Sequence, residues 1–186
     1  MSNHSLDDWY KELQKSQLKG RGLPPVEKWN PALSGDIDIR ITRQGVWFHE
    51  GGEIKRQPLV KLFSSILKRE NDDYFLVTPE EKWRIQVEDV PFFITGLSIE
   101  QKGHDQALVF SSTTDDQIIA GEDHPIRVVV DGVSGEPSPY ILLRGGMEGL
   151  ISRNVYYQLA DISEARQIDA QEVFGVRSMG AFFPLY

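Results

Sequence analysis

The chain has 186 residues, of which 40% are hydrophobic, with four tryptophans, no cysteine and a formal net charge of −8. At this length folding can bury roughly 70% of the accessible surface, enough for one domain or two small ones. The negative net charge argues against nucleic-acid binding. No apolar run approaches the ~18 residues of a membrane span. The absence of cysteine and of a signal-peptide pattern favours a cytoplasmic protein without thiolate metal sites.

Residues 1–34 are predicted to form a helix and an extended connector. Apolar side chains recur on one side of a helix from Ser5 to Lys19, which the Ser5 hydroxyl can cap. Three prolines between residues 23 and 31 then favour an extended segment. We expect the helix to pack on the body of the protein, because Trp9 and Trp29 would otherwise be exposed.

Residues 35–95 are predicted to contain a hairpin, a helix and two more strands. Apolar and polar residues alternate from Gly35 to Arg43, and an aromatic strand follows at 46–49. From Gln57 to Arg69 the apolar positions are spaced by three and four, which predicts an amphipathic helix. Residues 74–78 and 83–87 are typical of strands.

Residues 96–186 show a similar order of patterns. Strand-like segments at 107–110, 126–130 and 140–143 precede a helical pattern around residues 155–162, and two strand-like segments close the chain. When the halves are aligned, Ile39-Arg40-Ile41 lies over Ile126-Arg127-Val128, and a glycine pair precedes each helix. This alignment predicts an α+β fold of two similar hairpin-helix-strand (ββαβ-like) repeats with mainly antiparallel sheets, plus the N-terminal helix.

Several segments resemble a known family. They are PPVEKWNP from Pro24, GDIDIRI from Gly35, GVWFHEG from Gly45 and LVTPEEKWRIQVEDVPF from Leu76, with weaker matches in RNVYYQL from Arg153 and SMGAFFPL from Ser178. Together they resemble the uncharacterised bacterial proteins of the DUF1285 family, found mainly in proteobacteria. The resemblance implies two similar α+β halves, no established activity and a suggested role in signal transduction. It does not extend to the helix from Ser5 to Lys19.

Arg56 and Arg153 are the first candidates for binding, since each lies just ahead of a predicted helix at equivalent positions of the two halves. A pair of guanidinium groups can bind a carboxylate or phosphate, with help from the N–H groups of a helix start. The alternative is structural, with each arginine holding the preceding glycine loop or pairing with a nearby glutamate such as Glu50.

The strongest enzyme hypothesis joins His49 and Glu50, after the aromatic strand, to Glu81 and Lys82 in a turn between two strands. A carboxylate beside a cation in a closed cleft can be tuned for proton transfer, as in a hydrolase or lyase. The same residues also suit a solvated turn. No nucleophile-elbow, phosphate-loop or dinucleotide motif occurs, and the four histidines lack metal-ligand spacing, so no cofactor or metal is predicted.

The patterns favour a binding module over an enzyme. We expect a small-molecule-sensing or regulatory interaction module, with an anionic small molecule or a protein as partner, and without nucleic acid or membrane. A groove between the two similar halves, near Trp47, Trp83, Phe92 and Phe93, is the expected pocket. The alternative for these aromatic residues is the core, where we expect most of them to lie. The remaining alternative is a structural protein that forms homo-oligomers through exposed sheet edges.

Overall fold

The computed structural model of the chain describes residues 6–17 and 22–186. The chain divides into two compact units. The first comprises the described residues up to Ile41 together with Val46–Glu88, and the second comprises Thr42–Gly45 together with Asp89–Tyr186. The short turn at 42–45 therefore belongs with the later part of the chain.

The N-terminal segment contains helix α1, Leu6–Gln17, and a 3-10 helix, Val26–Lys28. The helix predicted from Ser5 to Lys19 is present over its described part, while both of these end residues lie outside the described residues. α1 packs against the second helix of the unit, and Leu13 is 5% exposed. The expected packing of α1 on the body is observed, although the Trp9 side chain lies outside the described atoms.

The first unit is built on one six-stranded sheet. Its strands in chain order are β1 (Leu33–Ile41), β2 (Trp47–His49), β3 (Gly52–Glu53), β4 (Leu67–Glu70), β5 (Asp73–Val77) and β6 (Lys82–Val87). They lie in the order β3-β2-β1-β6-β5-β4. All neighbours are antiparallel except β1 and β6, which run parallel, so the two halves of the sheet meet at this pair.

Helix α2, Gln57–Ser65, supplies much of the core of the first unit. Proline occupies its first turn, where a missing N–H removes no intrahelical bond. Its buried face includes Leu59 and Phe63. Trp47 of β2 is 2% exposed and stacks on Phe63 with ring centroids 6.2 Å apart. Trp47 is therefore a core residue of this unit.

The second unit contains a six-stranded sheet and a three-stranded sheet. The strands of the larger sheet are β7 (Phe92–Lys102), β8 (Asp105–Ser112), β9 (Gln117–Ile119), β10 (Ile126–Val130), β11 (Pro137–Arg144) and β12 (Met147–Ile151). They lie in the order β10-β11-β12-β7-β8-β9, with β12 and β7 parallel. The smaller sheet is an antiparallel meander of β13 (Glu164–Ile168), β14 (Gln171–Ser178) and β15 (Ala181–Pro184).

Helix α3, Arg153–Asp161, connects the two sheets of the second unit. The Ser152 side chain accepts a hydrogen bond from the backbone N–H of Val155, which caps the helix. Val155 and Tyr156 are buried, and the Tyr156 hydroxyl donates to the carbonyl oxygen of Leu185 at 3.2 Å. None of the helices in the described ranges is long and apolar enough to cross a membrane.

The predicted α+β fold of two hairpin-helix-strand repeats is wrong, because the protein is mostly β. Within the described residues there are fifteen strands against three short helices. Each unit therefore consists mainly of strands and does not show a regular alternation of helices and strands. Most of each unit consists of antiparallel strands joined by turns.

Strand pairing also separates the segments that the sequence alignment treats as equivalent. After α2, the three strands β4–β6 return to the sheet of β1 through the parallel β1–β6 pair. After α3, the strands β13–β15 form a sheet of their own, and β12 pairs with β7 instead. Similar local patterns in the two halves thus lead to different sheets.

Candidate functional site

A cleft of about 550 Å³ lies in the second unit. Its walls come from the loop between β10 and β11, the start of α3, and the turn at 42–45. Charged side chains from all three segments line it, namely Arg43, Asp131, Glu136 and Arg153. A cleft of this volume is in the range that small-molecule ligands occupy.

The loop between β10 and β11 is held by the side chain of Asp131. Its Oδ1 atom accepts hydrogen bonds from the Val133 N–H at 3.0 Å, the Ser134 N–H at 2.6 Å and the Ser134 hydroxyl at 2.9 Å. Gly135 has a φ of 71°, a conformation that glycine adopts without strain. The Ser134 backbone N–H is the main cause that holds the pKa of Asp131 below its usual range, so this carboxylate stays ionised in mildly acidic solution.

Arg153 is the first residue of α3 and faces the same loop. Its Nη2 atom lies 3.4 Å from Glu136 Oε1. The two side chains are 69% and 67% exposed. An ion pair this exposed contributes little to stability and separates easily, so the Arg153 guanidinium can exchange Glu136 for another anion.

Arg43 is held more firmly. Its Nη2 donates to the Ser138 hydroxyl at 2.7 Å, and its Nε lies 3.3 Å from Asp89 Oδ2. Gly45 ends the turn that carries Arg43, with a φ of 74°, and a Cβ there would lie 2.7 Å from the Cβ of Phe93. The glycine thus allows this turn to approach β7 and to place Arg43 at the cleft.

Apolar residues form part of the lining. Leu150 is buried in a small hydrophobic cluster with Val90 and Tyr140, and Phe93 packs against this cluster. Both Leu150 and Phe93 also line the cleft, as does Tyr157, which is 57% exposed. The cleft therefore combines a rim of charges with an apolar patch.

Of the two arginines predicted from the sequence, Arg153 lines this cleft and Arg56 belongs to the first unit. Arg56 precedes the first turn of α2, and its guanidinium lies 4.1 Å from the centre of the Tyr10 ring. This contact attaches α1 to α2. Trp47, the predicted aromatic wall of a pocket, lies in the core of the first unit.

The four residues of the enzyme hypothesis form two separate pairs. His49 lies opposite Ile39 on β1, whereas Lys82 lies opposite Leu33, six residues away along the same strand. At 3.3 Å per residue these positions are about 20 Å apart. His49 and Glu50 therefore do not share a cleft with Glu81 and Lys82.

Glu81 and Lys82 each have a structural contact. Glu81 Oε2 accepts a hydrogen bond from the Trp83 indole at 3.3 Å, and Lys82 Nζ donates to Glu70 Oε2 at 2.8 Å. Over the part of the chain that the structure describes, no three His, Asp or Glu side chains come together as a metal site requires.

Sequence reasoning missed Arg43, Asp131 and Glu136. An Asp-Gly pair such as Asp131-Gly132 is typical of a turn, but a turn signal does not reveal what the side chain faces. Asp131 and Glu136 lie in one loop, but Arg43 comes from a segment far away in sequence, and only the folded second unit brings it to the same cleft.

Comparison with known proteins gives the family but no activity. The model described as "Domain of unknown function (DUF1285), N-terminal domain" matches residues 24–90, and "Protein of unknown function (DUF1285), C-terminal domain" matches residues 91–185. The comparison with curated proteins found no match.

Two solved structures are similar to this chain. One is a DUF1285 family protein from Silicibacter pomeroyi DSS-3, with 43% identity over 99% of this chain and 96% of that chain, and a TM-score of 0.86. The other is a DUF1285 family protein from Shewanella baltica OS155, with 29% identity over 66% of this chain and 90% of that chain, and a TM-score of 0.52.

Proposed function

This chain belongs to the DUF1285 family, whose function is unknown, and we propose that its second unit binds a small molecule. An anionic group of that molecule binds the guanidinium of Arg153. The observation that carries this proposal is the cleft of about 550 Å³ with an exposed guanidinium at its wall. Guanidinium groups bind carboxylates and phosphates through two parallel hydrogen bonds.

The contact between Arg153 and Glu136 supports the proposal, because it shows that a carboxylate can reach this guanidinium. At 3.4 Å the pair is longer than a charge-assisted hydrogen bond of 2.7–2.9 Å. A ligand carboxylate with better geometry can therefore replace Glu136 without a large loss of stability.

A role in binding or sensing is favoured over catalysis by the composition of the lining. Among the described residues around the cleft there is no histidine, cysteine or lysine, so the serines that line it have no histidine or lysine in the lining to activate them as nucleophiles. The arginines and carboxylates that line the cleft are suited to bind charged groups of a ligand. We propose a regulatory module whose ligand signals through occupancy of this cleft.

The experiment is a thermal-shift screen of the full chain against organic acids, amino acids and nucleoside phosphates, followed by calorimetry on each compound that raises Tm. A ligand at a hundred times its Kd stabilises the folded state by about 2.7 kcal/mol. Arg153→Ala should weaken binding of the compound by at least about tenfold, or ~1.4 kcal/mol, and should leave the Tm without ligand nearly unchanged.

Arg56→Ala is the matched control, since Arg56 also lies at the start of a helix but in the first unit. This variant should keep the wild-type affinity even if the lost contact with Tyr10 lowers its Tm. Equal affinity of wild type and Arg153→Ala for every compound that binds would refute the proposed site.

A further inference from the structure

We propose that the ligand of this cleft is a zwitterion of the α-amino acid type, whose carboxylate binds Arg153 and whose ammonium group binds Asp131. This inference rests on the proposed function and adds a second, cationic group to the ligand. It follows from the balance and placement of charges in the cleft.

The charges that line the cleft do not suit a purely anionic ligand. Arg43 is already engaged by Asp89 and Ser138. The charges that remain are one guanidinium, on Arg153, and two carboxylates, on Asp131 and Glu136. A molecule with only negative charge would meet these carboxylates without compensation, whereas a molecule with both charges matches the cleft.

The hairpin brings Asp131 and Glu136 together through their backbones. Val130 and Pro137 form the last residue pair of β10 and β11, and beyond them the Asp131 N–H donates to the Glu136 carbonyl oxygen at 3.0 Å. The Asp131 carboxylate is bonded within this loop, to the N–H groups of Val133 and Ser134, and it lines the same cleft as Glu136. Because Arg153 lies 3.4 Å from Glu136 and lines that cleft as well, a ligand in the cleft can meet a guanidinium and two carboxylates.

Asp131 is prepared to receive a cation. Oδ1 accepts all three hydrogen bonds from the loop, and Oδ2 accepts none from the described residues. The same loop bonds, with the Ser134 N–H first among them, keep the pKa of Asp131 low and the carboxylate charged. One oxygen of a fixed, ionised carboxylate thus remains available for an ammonium group.

The apolar part of the lining suits the side chain of such a ligand. Leu150, which is buried, and Phe93, which is partly buried, provide an apolar surface, and Tyr157 is 57% exposed at the cleft. An aromatic or branched aliphatic amino acid fits this combination better than a small polar one.

The test is calorimetry of the full chain with L-phenylalanine and L-leucine, each compared with its analogues that lack one charge. These analogues are 3-phenylpropanoate and 4-methylpentanoate without the amine, and 2-phenylethylamine and 3-methylbutylamine without the carboxylate. We expect at least one of the two amino acids to bind about tenfold or more tightly than either of its analogues, which is ~1.4 kcal/mol per missing charge.

Asp131→Asn isolates the role of the carboxylate, because an asparagine Oδ1 can still accept the loop hydrogen bonds. The variant should bind the amino acid about tenfold more weakly and should bind its deaminated analogue as wild type does. Asp123→Asn is the control, since Asp123 is exposed in the turn before β10 and does not line the cleft. It should keep the wild-type affinities.

The outcomes separate this inference from the proposed function. If a deaminated analogue binds as tightly as its amino acid and Arg153→Ala abolishes that binding, the zwitterion is wrong and the proposed function stands. If neither amino acid nor analogue binds, or if Arg153→Ala has no effect on binding, both are wrong for this ligand class. If Asp131→Asn fails to fold, the comparison of each amino acid with its analogues on the wild-type protein still decides whether the ligand is a zwitterion.

Discussion

Lys68 Nζ donates a hydrogen bond to Asn30 Oδ1 at 2.9 Å, and the same ammonium donates to the Trp29 carbonyl oxygen at 3.0 Å. Lys68 is 6% exposed. The proline-rich connector after α1 is thus attached to β4 by a buried charge with two acceptors, close to Glu70 at 3.5 Å. This explains why a lysine is tolerated inside the first unit.

Lys68→Met should destabilise the protein, because it keeps the apolar stem but leaves the Trp29 carbonyl and the Asn30 side chain without their donor. The expected loss in the free energy of unfolding is about 1–3 kcal/mol. Urea denaturation measures it. Lys55→Met, at an exposed position, should change the value by less than about 0.5 kcal/mol, and equal losses in the two variants would contradict the role given to Lys68.

The stability of the first unit should depend on pH through Glu70. Lys82 Nζ, 2.8 Å away, is the main cause that holds the pKa of Glu70 below its usual 4.5. Since the folded pKa lies below the unfolded one, this contribution is fully present above about pH 4.5 and disappears as the pH falls through the folded pKa. The difference in unfolding free energy between wild type and Glu70→Gln should therefore be largest near pH 6 and shrink in acid.

Urea denaturation at several pH values between 6 and 3 checks this dependence, with Glu53→Gln as the exposed control. A difference between wild type and Glu70→Gln that stays constant over this range would show that the carboxylate of Glu70 is not held ionised by its lysine.

Gly175→Ala should destabilise the three-stranded sheet. A Cβ at Gly175 would lie 2.4 Å from the Phe183 carbonyl oxygen and 2.6 Å from the Phe182 ring, on the neighbouring strand β15. Because the nearest atom is backbone, the strands must shift, at a typical cost of about 1–3 kcal/mol. Gly132→Ala is the control, as nothing lies within 4 Å of its added Cβ. Thermal unfolding that gives both variants the same Tm would rule out this clash.

Tyr156→Phe should change the alkaline stability of the second unit. Burial raises the pKa of the Tyr156 hydroxyl above its usual 10.0, so the unfolded chain releases this proton at a lower pH than the folded one. Wild-type stability should then fall as the pH rises past 10, and Tyr156→Phe should lose less over this range.

At neutral pH the same variant should be less stable by about 0.5–1.5 kcal/mol, since the hydrogen bond to the Leu185 carbonyl is lost. Urea denaturation at pH 7 and pH 10.5 provides both numbers. Tyr157→Phe, at the exposed neighbouring position, should match wild type at both, and a Tyr156→Phe curve parallel to wild type would contradict the effect of burial.

Glu136→Gln should strengthen binding of a simple carboxylate such as 3-phenylpropanoate, because it removes the carboxylate that competes for Arg153. Calorimetry gives the ratio of Kd values. The matched control is Glu172→Gln on β14, at an exposed position outside the cleft. Weaker binding by Glu136→Gln alone would mean that Glu136 assists the ligand rather than competing with it.

Much of the local structure could be predicted from the sequence, but the length of α2 could not. The three-four spacing continues through Leu67, which suggests a helix to Arg69, yet α2 ends at Ser65 and Leu67–Glu70 form β4. Consecutive apolar residues at 66 and 67 fit either period. The hairpin with β5, whose turn has Asn71 at a φ of 56°, decides in favour of a strand.

The strand pairing and the composition of the site were harder to predict from the sequence. The parallel pairing of β1 with β6, and of β12 with β7, joins segments distant in sequence, and no local pattern specifies it. Arg153 was predicted because it precedes a helix with a clear amphipathic pattern. The sequence does not connect Arg43 with Arg153. Arg43 lies in a turn between two strands of the first unit, yet this turn belongs to the second unit.

The two units differ in tryptophan content, and the buried Trp47 lies in the unit that contains tryptophan. All four tryptophans, at positions 9, 29, 47 and 83, fall in the first unit. Trp47 is stacked on Phe63, and its buried indole N–H has no hydrogen-bond partner among the described residues, conditions that shift emission to shorter wavelength. Tryptophan fluorescence therefore reports on the first unit alone, whereas four of the six tyrosines, at positions 140, 156, 157 and 186, lie in the unit that contains the cleft.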